Sequence, residues 1–248
     1  LEKTEVPAYN RRVQALLNEQ SLAPLVAQIG ASKGQHTPAL GRNTGESIEV
    51  IFGSRRRMAS HLAGYTFRIL VSDDVTDEEA KILSRSENEH KPISLYENGC
   101  YWLKLSEEQG LSVRKIAELI ENGDVSKSTV QNGIDIARLP LAVVNIFPSP
   151  DIVTKRVYDR IQNDVIRNTV GPERLASYLA SFISENSEYL AEQNNLYVQG
   201  DPLFSPEKLI KQIKDYLADQ GNLEVSEAQA AKSYQIAELA TVSTNRKG

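Results

Sequence analysis

The chain has 248 residues, 40% of them hydrophobic and 25% charged, enough for one large domain or a few small ones. No apolar run approaches the roughly 20 residues that span a bilayer, no secretory signal opens the chain, and the single cysteine, Cys100, excludes an internal disulfide framework and fits a reducing cytoplasm. The net charge of −5 argues mildly against nucleic acid, but charge distribution decides that and not the sum.

The basic residues are segregated into Arg11–Arg12, Arg55–Arg57 and a stretch with Lys155, Arg156, Arg160 and Arg167, while acids crowd residues 73–79 and 185–192. Three scattered histidines lack the paired spacing of zinc ligands. Beginning at Leu1 without a methionine, the sequence reads as a fragment or a processed chain.

Residues 11–30 show helical spacing through Val13, Leu16, Leu17, Leu25, Val26 and Ile29, with Pro24 expected to start a second short helix. TPALGR (37–42) and Ile48–Phe52 read as strands separated by the turn Asn43-Thr44-Gly45. Residues 54–63 predict a helix with Ser54 as its N-cap and Gly64 as its stop. Phe67–Ser72 reads as a third strand. Thr76 with Glu79 is a capping box that opens a helix to about Glu89, and Ser94 caps another through Leu105. From there the pattern is helical, with breaks at Gly171-Pro172 and Gly200-Asp201-Pro202 and a polar tail after Gly221. The fold class expected is α+β: a small α/β domain over 1–92, a helical domain over 93–170, and a helical extension over 171–248.

Within 111–139, two helices are divided by Glu121-Asn122-Gly123-Asp124. The first would bury Val113, Ile116, Ala117 and Ile120; the second would bury Val130, Ile134 and Ala137. Ser126 caps the second helix. Lys127, Ser128, Thr129, Gln131 and Asn132 then face outward near its start, which is the end of a helix-turn-helix that enters the major groove. Gly133 inside it costs helix propensity. An ordinary pair of packed helices fits the same pattern.

Residues 48–63 run from a strand into a glycine and a helix whose first turn holds three arginines. Cations at a helix N-terminus oppose the dipole, which a bound anion such as a triphosphate would offset. A solvated basic face fits equally on the residues alone. No GxxxxGK[ST] is present, so a P-loop is excluded.

The order TPALGR … IEVIFGSRRRMASHLAG … RILV, then SRSENEHKPISLYENG, then the paired helices ending in ARLPLAVVNIF, resembles ParB-family partition proteins, the plasmid-type SopB branch above all. The resemblance covers roughly residues 10–165. It implies that Gly53, Ser54, Arg55 and Arg56 hold the triphosphate of CTP, and that Thr37, Pro38 and Gly41 line cytosine and ribose. It places Asn88 at a phosphate or the Mg²⁺, with Lys91 where arginine is usual, and Glu97 as a metal or water ligand. Bland alternatives are a helix-end role for Asn88, a solvated face at Glu97 and Asn98, packing for His61, and core burial for Trp102. Because Lys91 and Ser54 depart from the common pattern, any CTP hydrolysis is expected to be weak.

The resemblance further implies double-stranded centromere DNA, a ParA-type ATPase and self-association as a dimer, with Lys155, Arg156 and Arg160 adding phosphate contacts. Related proteins act instead as transcriptional regulators or anti-silencers. A phosphate-ligand enzyme of the same fold would need Cys100 as nucleophile, and no basic neighbour in sequence activates it.

Overall fold

The computed structural model describes residues 3–87, 92–120, 123–167 and 172–219. The expectations that fall on Asn88, Lys91, His90, Gly171 and the tail lie outside these residues. Contacts divide the chain into one compact unit, Leu1–Arg156 with Glu188–Phe204, and a second, Val157–Ser187 with Ser205–Gly248.

The first unit opens with a short strand β1 (Thr4–Glu5) that the sequence pattern did not reveal, because two residues carry no period. Two 3₁₀ turns follow (Ala8–Asn10 and Gln14–Leu16), then helix α1 (Glu19–Ala31). Asn18 caps α1 by accepting from Ser21 N at 2.9 Å, and Ser21 Oγ accepts from Asn18 N in return. Pro24 does not start a helix; it sits inside α1. A proline there gives Gln20 O no N–H to accept. The side chain of Asn194, itself buried, donates to that carbonyl at 3.3 Å, and so a distant segment repairs the gap.

Strands β2 (Ala39–Asn43), β3 (Ile48–Phe52) and β4 (Ile69–Val71) join β1 in a sheet of order β1-β3-β2-β4. β2 and β3 pair antiparallel through the turn at Asn43, whose Oδ1 accepts from Gly45 N at 2.9 Å; the outer pairs are parallel. Val50 and Ile51 are successive and both fully buried, so the centre of β3 is covered on both faces. α2 (Ser54–Leu62) packs on α1 through Leu22, Ile29 and Ala59, and α3 (Asp77–Glu87) packs on β3. The Thr76–Glu79 capping box forms as expected, with Glu79 Oε2 accepting from Thr76 N at 2.9 Å. His61 is exposed on α2 and not packed beneath it.

The helical part begins with α4 (Leu95–Gln109), capped by Ser94 and ended by Gly110 in the left-handed region. A short α5 (Val113–Lys115) continues as a π-helical turn over Ile116–Ile120; then come α6 (Lys127–Ala137) and α7 (Leu141–Val144). Trp102, 1% exposed, anchors a core with Ile116, Ala117, Val130 and Ile134. In α6 the inward residue at the C-terminal end is Ile136, while Ala137 is only half-buried.

Gly133 is a packing requirement and not a weak point: a Cβ there would lie 2.6 Å from the Trp102 ring, and one on Gly99 would lie 2.0 Å from Gly133 O. The two glycines therefore let α4 and α6 cross nearly backbone to backbone.

α8 (Lys155–Ile161) runs into a second π-helical turn at Gln162–Ile166. α9 (Pro172–Glu185) and α11 (Pro206–Asp219) supply the second unit's core, with Phe182 edge-on to Tyr216 at 5.3 Å between centroids. α10 (Ser187–Gln199) falls almost wholly in the first unit. The chain is thus α+β, with a small mixed sheet followed by helices. Among the described residues, no helix is long and apolar enough to cross a membrane.

Candidate functional site

The arginine turn is built from Gly53. Its φ of +99° turns the end of β3 into α2, and a Cβ there would come 2.6 Å from Ala39 Cβ, so no other residue fits without strain. Gly53, and not Ser54, is the N-cap. Ser54 is the first helical residue and is buried, and its Oγ donates to Asn10 Oδ1 at 3.3 Å. Asn10 Nδ2 in turn donates to Ile51 O at 3.1 Å. This pair pins residues 10–12 against the start of α2, where the first-turn N–H groups have no partner within the helix.

The three arginines have different fates. Arg57 donates to Thr4 Oγ1 and Thr4 O, both at 2.8 Å, and clamps β1 to the sheet. Arg56 pairs with Glu87 at 2.9 Å. Arg55 is half-buried, and no hydrogen bond or ion pair engages it among the described residues. Burial first, and then the charge of Arg12, push its guanidinium below its ordinary value. The carboxylates of Glu97, Asp151 and Glu87 act on it in the opposite sense, through space, and a guanidinium in a partly dry cleft is suited to grip an anion.

That cleft, about 330 Å³, is lined by Asn10, Arg12, Gly53, Ser54, Arg55 and Arg56. A neighbouring cleft of about 240 Å³ shares Leu25, Gln28 and Arg56 with it and reaches Gly34, His36 and Thr37. The loop carrying Thr37 is fixed by Gln35, whose Nε2 donates to Thr37 O at 2.7 Å and Arg68 O at 3.0 Å. A third cleft of about 460 Å³ also contains Arg12 and Arg55, with Pro148, Asn194 and Tyr197 on another flank. The structure brings Thr37, Gly53, Ser54, Arg55 and Arg56 to one connected trough. Pro38 is half-buried at its edge of the sheet. Gly41 lies within β2, where a Cβ would meet Glu49 O at 2.6 Å, so close strand approach accounts for that glycine.

Arg12 lines the same cleft, and sequence reasoning did not single it out. Its only signal was an adjacent pair of arginines. Its Nη1 donates at 3.1 Å to Glu97 Oε2, and Glu97 is 2% exposed. The same oxygen accepts from Ser94 N at 3.0 Å and Ser94 Oγ at 2.8 Å. Glu97 is therefore no solvated face; it caps α4 and binds Arg12. Asn98 accepts from Arg11 Nη1 at 3.0 Å, and Arg11 also stacks 4.5 Å over the Tyr101 ring. Among the described residues, no group of three or more His, Cys, Asp or Glu is placed to hold a metal.

The second surface is α6. Ser126 caps it by accepting from Thr129 N at 3.1 Å, and Gly123, with φ of +81°, makes the preceding turn. Val130, Gly133 and Ile134 point into the core, while Lys127, Ser128 and Gln131 are exposed and Thr129 and Asn132 half-exposed. Arg114 and Lys115 stand exposed on the preceding helix. Lys155 and Arg156 open α8 in the first unit; Arg160 belongs to the second, where it lies 3.6 Å from Asp164, which Lys214 also engages at 3.1 Å.

No family model matches the chain. It is 36% identical over 163 residues to protein SopB of Escherichia coli O157:H7, covering 65% of this chain and 49% of SopB. It is 30% identical over 142 residues to the virulence regulon transcriptional activator VirB of Shigella flexneri, covering 56% and 43%. It thus spans about half the length of these curated relatives. The C-terminally truncated chromosome-partitioning protein ParB of Caulobacter crescentus, complexed with CTP-γ-S, overlaps 86% of this chain and 94% of its own at 23% identity, with a TM-score of 0.31. Over part of its length the chain is therefore similar to ParB/SopB-type partition proteins, in agreement with the ordered motifs of its sequence.

Proposed function

We propose that the chain binds centromere-type DNA repeats sequence-specifically through the outer face of α6, as part of a plasmid or replicon partition system, with a nucleotide at the arginine turn. One observation carries the DNA reading. The first turns of α6 present Lys127, Ser128 and Gln131 to solvent while Val130, Gly133 and Ile134 lock the helix against α4. A rigidly held helix with polar residues at its exposed N-terminal end matches what the major groove accepts.

The nucleotide reading rests on Arg55, a half-buried cation beside Arg12 with no partner among the described residues. The triphosphate would seat at Gly53, Ser54, Arg55 and Arg56, with Arg12 added to that set and Thr37 toward the base. CTP is the nucleotide implied by the family. Mg²⁺ would enter with the triphosphate; the Glu97 Oε2 atom, already accepting from three donors, acts as an anchor for α4. A ParA-type ATPase and a second copy of the chain are the partners implied.

The test is DNA binding by anisotropy, on sites recovered by sequencing bound fragments and on random DNA. Lys127→Ala and Gln131→Ala should each cost about 1–3 kcal/mol on the cognate site only. Equal loss on both DNAs would limit these residues to phosphate contact, and no loss would end the assignment. The VirB match supports a second reading, a transcriptional regulator using the same face. Bound sites clustered at promoters, away from an ATPase gene, would favour it.

A further inference from the structure

We infer that Glu118 and Asp135 set the sequence discrimination of this helix-turn-helix by holding its two longest reading side chains until base edges replace them. The inference rests on the DNA reading of α6 given above.

Glu118 Oε1 accepts from Arg114 Nε at 2.9 Å and lies 3.9 Å from Lys127 Nζ. Asp135 Oδ1 accepts from Gln131 Nε2 at 2.9 Å and lies 3.6 Å from Arg138 Nη1. Each carboxylate thus ties one reading residue of α6 to an exposed arginine of the same surface. The side chains of Lys127 and Glu118 are 58% and 47% exposed, so neither pair adds much to stability. Their effect falls on binding.

Random DNA attracts this surface only through its cations, by releasing counterions from phosphates. Two carboxylates among Arg114, Lys115, Lys127 and Arg138 cancel local positive charge and repel the backbone, which lowers that sequence-independent term. On the cognate site, Lys127 and Gln131 exchange a carboxylate partner for base edges with fixed donor and acceptor positions. The acids therefore cost affinity everywhere, and the right sequence alone returns it. A chain with an acidic total charge would gain selectivity in this way without a strongly basic face.

Glu118→Gln and Asp135→Asn remove charge with little change of shape. Each should tighten random DNA several-fold and steepen its salt dependence by about one phosphate equivalent. Cognate binding should gain less, so the ratio of cognate to random affinity falls several-fold. Asp73→Asn, an exposed loop acid remote in sequence, controls for total charge and should leave the ratio unchanged. Equal tightening on both DNAs, or the same effect from Asp73→Asn, would overturn the inference and leave the acids as bulk charge. If Lys127→Ala and Gln131→Ala leave cognate binding intact in the same assay, the helix reading itself falls and the inference with it. Melting temperatures close to the parent's would confirm that each variant is folded.

Discussion

Replacing Gly99 by alanine should be far more damaging than replacing an ordinary helical glycine. The added Cβ would lie 2.0 Å from Gly133 O and 2.4 Å from Gly133 C, and both are backbone atoms that no rotamer change can move. Ordinary contact begins at 3.4 Å, so α4 and α6 would have to part by about 1.4 Å at their crossing. That gap opens beside Trp102, 1% exposed, and beside Val130 and Ile134, which lose close contacts on one side. Overpacking and the resulting void each cost on the order of 1–3 kcal/mol, against about 1 kcal/mol gained from helix propensity, for a net loss of roughly 1–5 kcal/mol. In a chain of this size that lowers Tm by about 2–20 °C. Gly133→Ala should lose less, because its nearest neighbours are side-chain atoms of Trp102 at 2.6 and 2.8 Å. Thermal unfolding followed by circular dichroism reads both. Equal or higher Tm for Gly99→Ala would show that the helices do not cross this closely.

Further outcomes follow from the site. Arg55→Lys should weaken nucleotide binding although it keeps the charge, and Arg55→Ala should abolish it; calorimetry with CTP, ATP and GTP reads this, and equal binding of CTP and ATP would remove the base from Thr37. Asn194→Ala should cost about 1 kcal/mol in the parent, where it leaves Gln20 O without its partner, and almost nothing beside Pro24→Ala, whose new N–H serves that carbonyl. Additive losses in that cycle would show that Asn194 does not repair the proline gap. DNA affinity should fall roughly tenfold or more between about 50 and 200 mM salt, and a flat dependence would deny that exposed cations meet phosphate.

Local pattern settled what is local. The β-branched run at 48–52, the capping box at Thr76, the cap at Ser94, the turn at Asn43 and the outward polar face of α6 were all legible, since each depends on residues within one or two turns of one another. The arginine turn was legible as a cluster of cations at a strand-to-helix turn for the same reason. What depended on distant partners was not. Strand β1 exists because Arg57 and β3 hold two otherwise featureless residues. Pro24 is tolerated inside α1 because Asn194, 174 positions on, supplies the missing donor. Gly133 looks like a flaw until Trp102 and Gly99 are brought against it. Arg12 lines the cleft of the arginine turn because Asn10 and buried Ser54 bring it there, and Glu97 turns from a solvated face into a buried anchor because Arg12 reaches it. Hydrophobic period and capping act over a few residues of chain, whereas burial, close helix crossing and the pairing of a buried charge depend on which segments meet, and only the tertiary fold decides that.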